Sequence, residues 1–366
     1  MMMQISRTAL RGVLGLALLS TCGCQSVPKQ RIAREEANKR WNVTRADVKA
    51  RLAGDELGAG RVEAAELHVE EALQLNPDDA SLKILEARVR LARGGAGEAL
   101  SALDAAERFG GPTGEIEYLR GVIAQQRLAW DDAVRLFDLA LERNPDDVAA
   151  LAAAAQGRIQ LGQAAEALER LEAARARLGW KPGFHAAVAE CHEHLSNWSE
   201  AADAWRMVST ATSDDEARER YALALLRAGR WGEAIGALRT CLDGHADKPA
   251  FELRLALAEA SLHIDDAATA REELAFALRD RGNDPRALRL MALTLAMEGD
   301  SARALALAEQ VARQGGSVDA CGAELAATIA WRSGNIAKAR EWATALRRCA
   351  GQQDSAVVSL ILGETR

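Results

Sequence analysis

The stretches "GRVEAAELHVEEALQLNPDDA" from Gly60 and "LAWDDAVRLFDLALERNPDDV" from Leu128 follow one pattern of small, apolar and turn-forming residues. Aligning the chain on them gives a column of alanines: Ala65, Ala99, Ala133, Ala167, Ala201, Ala234, Ala270, Ala304 and Ala339, spaced by 33 to 36 residues. Twelve residues before each stands a second small residue: Ala53, Ala87, Gly121, Ala155, Ala189, Ala222, Ala258, Ala292 and Ala327. Two columns kept in register over nine repetitions mark a repeat architecture, in which each unit stacks on its neighbours to complete a core. Composition says what the units are made of. Hydrophobic residues reach 49% while aromatics are only 4%, so the apolar content is mostly Ala and Leu, the material of closely packed helices. A sheet protein would need more β-branched and aromatic residues.

The two columns and their period resemble the tetratricopeptide repeat (TPR), and the resemblance covers residues 46–351. It implies an all-α, right-handed solenoid of about nine helical hairpins. Small residues at the two columns let the paired helix axes approach, and a larger side chain there would overpack the contact. Five residues before the second column lies a turn residue, glycine in six repeats: Gly60, Gly94, Gly162, Gly229, Gly299 and Gly334. Glycine tolerates a left-handed helix end at no steric cost. Pro77 and Pro145 fall where the family stops its second helices, whereas Pro112, Pro182, Pro249 and Pro285 fall slightly later, as for longer turns. Trp130, Trp198 and Trp231 share one place, three residues before the second column, and the resemblance implies that they pack in the core.

The chain begins with Arg7 and Arg11, a short small or apolar run from Gly12 to Leu19, and then "STCGC". The run is too short for a spanning helix, which needs about 20 apolar residues. Basic start, short apolar middle and small residues at the end are the parts of a secretory signal. A cysteine closing the pattern resembles a bacterial lipoprotein signal, with Cys24 the favoured lipidated residue and Cys22 the alternative. The domain reading is therefore a signal peptide over 1–23, a basic linker over 24–45, the repeat array over 46–351 and a C-terminal capping segment over 352–366. The linker carries Lys29, Arg31, Arg34, Lys39, Arg40 and Arg45, which read as a solvated tether or as a stripe attracted to anionic headgroups. No Asp follows either cysteine, so the sorting rule of enteric lipoproteins points to the outer membrane, facing the periplasm.

A net charge of −7 argues against nucleic acid as partner, because no general excess of Lys and Arg is available for phosphates. The sequence carries no G-x-S-x-G elbow, Walker loop or dinucleotide fingerprint, and the reading is non-catalytic, with no cofactor. The densest reactive cluster is "ECHEH", Glu190 to His194. It lacks the spacing that sets two histidines on one helix face, so no metal site is assigned and the cluster reads as surface plus packing. Cys321 opens the first helix of the ninth repeat and Cys349 closes its second, adjacent ends of a hairpin. A disulfide between them is a candidate, provided their Cβ atoms approach within about 4.5 Å.

In the family, partners lie in a groove formed by the first helices. Carrying the family's groove places over gives Tyr118, Val122, Gln125 and Gln126 in the third repeat and Gln156, Ile159 and Gln160 in the fourth. Glu190, Glu193 and His194 follow in the fifth, Glu219, Leu223 and Arg227 in the sixth, and Glu252, Glu259 and His263 in the seventh. Arg286, Arg289, Trp331 and Arg332 line the last two. Such mixed polarity fits an extended peptide or a partner helix. Ala50 and Gly54 stand where the chaperone-tail-binding subgroup needs Lys and Asn, which removes that ligand. The resemblance implies a lipid-anchored, non-catalytic envelope scaffold for protein partners. A carbohydrate- or peptidoglycan-binding accessory and a soluble secreted repeat protein are the alternatives.

Overall fold

The computed structural model describes residues 26–244, 250–314, 319–350 and 356–363. The leader with Cys22 and Cys24, Pro249, and the side chain of Cys349 lie outside the described residues. Nineteen helices and no strand occur among the described residues, so the chain is all-α. It divides into two compact units, Met1–Gly157 and Arg158–Arg366.

The first unit holds α1 (Ser26–Gly58), α2 (Val62–Leu75), α3 (Ala80–Ala92), α4 (Ala96–Arg108), α5 (Thr113–Gln126) and α6 (Trp130–Arg143), and the division falls inside α7 (Val148–Gln160). Helices pair as hairpins α1–α2, α3–α4 and α5–α6, with α2 packed on α3 and α4 on α5. The second unit continues with α8 (Ala164–Leu178), α9 (Pro182–His194), α10 (Trp198–Ala211), α11 (Asp215–Arg227), α12 (Trp231–Gly244) and α13 (Phe251–His263). It ends with α14 (Ala267–Asp280), α15 (Pro285–Met297), α16 (Ser301–Ala312), α17 (Ala320–Arg332), α18 (Ile336–Ala350) and α19 (Ala356–Leu362). There α9–α10, α11–α12, α13–α14, α15–α16 and α17–α18 form hairpins. First helices also touch one another, α11 on α13, α13 on α15 and α15 on α17, making one wall of the unit.

Every alanine of the second small column is at most 1% exposed. The first column is as deeply placed, and Gly121 shows why size matters there. A Cβ on Gly121 would lie 2.6 Å from Cε1 of Phe137, whose ring is fully buried and fills that space. The hairpin turns share one geometry. Gly60, Gly94, Gly162, Gly229, Gly299 and Gly334 have φ between 72° and 88°, and Leu128, Ser196 and Asp265 adopt 58°, 60° and 62° at the same place in the other three repeats. The amide of the following residue donates to the carbonyl five residues back, from Gly95 to Arg90 at 2.8 Å and from Ala129 to Ala124 at 3.0 Å, closing the first helix.

One expectation changes. Pro182 and Pro285 open α9 and α15 at their first positions, where the missing N–H is no loss, so they start helices rather than end them late. From Ser26 the basic segment is helical and continuous with the first repeat helix, in the single 33-residue α1. Pro28 sits in the first turn, where it is tolerated, and the Arg31–Glu35 and Glu36–Arg40 pairs at i,i+4 support the stretch that follows.

Candidate functional site

The first helices of the second unit line a continuous trough. Its smaller end, about 310 Å³, lies among Glu193 and His194 of α9, Trp198 at the start of α10, and Arg220, Leu223, Ala224 and Arg227 of α11. The larger part, about 960 Å³, shares Leu223 and Arg227 and runs past Glu252, Leu255 and Glu259 of α13 to Arg286, Arg289, Leu290 and Leu293 of α15. Trp231 of α12 and Cys321 and Leu325 of α17 complete it. Leucines and charged side chains thus line it together.

The charges are unequal in freedom. Glu252 accepts from Nη1 and Nη2 of Arg286, both at 2.9 Å, and from Nη1 of Arg281 at 3.4 Å, so this carboxylate is spent on its neighbours. Glu190 and Glu193 are held in a similar way. Arg220 donates to Glu190 Oε1 at 3.3 Å and stands 3.9 Å from Glu193 Oε2, while Trp205 Nε1 donates to Glu193 Oε1 at 2.8 Å. Burial pushes the Glu190 carboxyl above its ordinary value, and the Arg220 charge works against that shift. Arg289 and Glu259 have no ion pair among the described residues, and Arg227 makes only a cation–π contact, 4.7 Å over the Trp198 ring. Arg227, Glu259 and Arg289 are the trough's uncommitted charges.

The "ECHEH" residues are divided between core and surface. Cys191 is fully buried and its thiol is pushed up to about 12, mainly by burial with a contribution from Glu190. Burial also lowers the His192 pKa, which favours the neutral imidazole, while His194 is exposed at the trough. Glu190 and Glu193 belong to the Arg220 network.

Of the residues expected in the groove, Glu193, His194, Leu223, Arg227, Glu252, Glu259, Arg286 and Arg289 come together in this trough. Trp331, Arg332 and Gln160 are exposed in the second unit but outside its lining. Ile159 is only 7% exposed and belongs to the core rather than the groove. In the first unit the Gln125 amide donates to Gln156 Oε1 at 3.1 Å, Gln126 is exposed, and half-buried Tyr118 packs on Phe137 with centroids 5.7 Å apart. The tryptophans differ from expectation. Trp130, Trp198 and Trp231 are half-buried, and the latter two line the trough, because the place they occupy opens the second helix beside the groove end of the first. Leu255, Leu293 and Cys321 also line it. They occupy groove places of the family's spacing, as Leu223 does, so the spacing itself held the signal.

No family model matches the chain, and no curated protein matches it. Among solved structures it is similar to PilW, described as a widely conserved type IV pilus biogenesis factor, at 18% identity over 59% of this chain and 98% of that one, with a TM-score of 0.49. It is similar to a tetratricopeptide repeat protein from Parabacteroides merdae at 16% identity over 69% and 99%, with a TM-score of 0.44. A thermophilic TPR protein from Thermus thermophilus is 23% identical over 50% and 98%, with a TM-score of 0.34. The fold is TPR-like. The chain's own period, its two small columns and its shared hairpin turn all follow that pattern.

Proposed function

We propose that the protein is a non-catalytic, lipid-anchored scaffold of the bacterial envelope, which holds an extended peptide or helix of a partner protein in the trough of its second unit. Cys24 is the proposed lipidated residue, Cys22 the alternative, and the outer membrane facing the periplasm the proposed location. The observation that carries the binding part is a lining of leucines together with Arg227, Glu259 and Arg289, none of which has an ion pair among the described residues. Apolar anchoring with a few free charges for register is the chemistry of a peptide groove.

The carbohydrate-binding alternative needs an open aromatic face for a sugar ring. Arg227 covers Trp198, and His263 stacks on Trp231 with centroids 3.9 Å apart and planes 5° off parallel. Both tryptophans of the trough therefore have one face already occupied by a protein side chain.

The test compares envelope proteins co-purified by wild type and by the Arg227→Glu/Arg289→Glu double variant. Loss of a partner by roughly thirtyfold, equivalent to about 2 kcal/mol, is expected for reversing two contact arginines. An unchanged set of partners removes the trough from the proposal. Intact mass of the membrane-extracted protein reads the anchor separately: an acyl adduct on Cys24 or Cys22 supports it, and an unmodified chain ends it.

A further inference from the structure

On α1, Trp41, Val48 and Leu52 are 62%, 52% and 40% exposed. The place of Val48 is buried in the following repeats of the first unit, where its counterparts Leu82, Ile116 and Ala150 are 3%, 1% and 0% exposed. Leu82 clusters with Ala72 of α2, and Ile116 with Ala102 and Ala106 of α4, so the preceding second helix covers this place. Among the described residues no helix precedes α1, and its matching face is left open.

The open face has a definite charge. Residues 34, 41, 45, 48 and 52 follow one another at steps of seven, four, three and four, which places them on one side of a helix. Arg34 and Arg45 thus lie along the apolar stripe, and neither has an ion pair among the described residues. Of the other cations on α1, Arg31 pairs with Glu35 at 3.1 Å and Arg40 with Glu36 at 3.8 Å, while Lys39, on the far side, has no ion pair among the described residues. Lys49, at the margin, is bound to Glu71 at 2.5 Å. Asp55 stands only at the stripe's far end.

We infer that α1 lies along an anionic membrane surface, with Trp41, Val48 and Leu52 in the headgroup region and Arg34 and Arg45 against lipid phosphates. A second copy of the chain would bring arginines against arginines, and a neutral apolar helix would leave them unmatched. An anionic bilayer satisfies both the apolar stripe and the free cations, and a tryptophan is at home at its interface. The geometry agrees with the anchor reading, on which this inference rests. α1 starts two residues after Cys24, and Trp41 is 15 residues, about 22 Å, further along the helix. An acyl chain and Trp41 meet the same surface only if the helix runs along it.

The experiment uses full-length membrane-extracted protein in nanodiscs of POPC, or of POPC mixed with POPG, and follows amide exchange over residues 34–52. POPG is expected to slow exchange roughly tenfold relative to POPC, because each basic residue near an anionic surface adds attraction. Arg34→Gln/Arg45→Gln should return the rate to its POPC value, and Trp41→Ser should reduce the slowing several-fold; circular dichroism checks that both variants stay helical. Equal rates in the two discs, or slowing that survives the double substitution, overturn the inference. Slowing that scales with protein concentration overturns it in favour of a second copy. Absence of acyl mass together with failure to enter POPC discs refutes the anchor instead, and adding POPG vesicles to that same chain still decides the stripe.

Discussion

Leu128, Ser196 and Asp265 hold positive φ at the place where six other repeats use glycine. A left-handed conformation costs an L-residue about 1–2 kcal/mol, while glycine loses about 0.5–1 kcal/mol more backbone freedom on folding. Leu128 is 69% exposed and has little packing to lose. Leu128→Gly should therefore raise stability by about 0.5–1 kcal/mol, and Gly94→Ala should lower it by about 1 kcal/mol, read as shifts of the urea midpoint. No shift in either variant would mean that the turn carries no strain. The six glycines were legible in the sequence, since only that residue adopts the geometry freely. The other three were not. Their backbone is imposed by the helix-closing hydrogen bond and by the helices on either side, and a leucine carries no trace of that. Gly121 is the converse case: its smallness fits the column, but only Phe137 explains why even alanine is too large.

At the scale of the helix, aspartate repeatedly starts the first helix of a hairpin. Asp79, Asp214, Asp284 and Asp319 each accept from backbone amides, with Asp284 Oδ1 taking Arg286 at 2.9 Å and Ala287 at 3.2 Å. Burial works to raise the Asp284 pKa, but these amides and Arg286 outweigh it and hold the carboxyl below its ordinary value. A depressed folded-state pKa contributes stability above the unfolded value, near 3.9, and that contribution is lost as pH falls through the folded one. Asp284→Ala should therefore cost about 1 kcal/mol at neutral pH and progressively less as pH falls below about 4. A penalty that stays constant with pH in urea titrations would assign the effect to helix propensity alone. Helix existence and pairing were readable from the period of the small columns. Which residues reach the trough was readable only in part, because the charged groove places announce themselves while Leu255, Leu293 and Cys321 look like core. The half-burial of the tryptophans depends on where a second helix begins relative to its neighbour, which composition does not encode.

A repeat array must close its exposed ends, because a terminal hairpin presents on one side the surface that its neighbours would bury. At the end of the second unit α19 does this, setting Val358 and Ile361, each 2% exposed, in one cluster with Trp342, Ala343 and Leu346 of α18 and Ile329 of α17. Seven residues are too few to hold a helix by themselves, so α19 owes its structure to this contact. Ile361→Asp places an unpaired carboxylate in an apolar cluster, which should detach α19 and remove about 2–5 kcal/mol of local stability. Stability in stacked repeats is a sum of unit and neighbour terms, and a single melting temperature does not describe it. The loss should therefore be greatest in α17 and α18 and fade toward α9–α12 of the same unit, as read by amide exchange along the chain. Uniform loss over the whole unit would show that it unfolds as one cooperative block, whereas no loss at α17 and α18 would show that the last hairpin is stable without its cover.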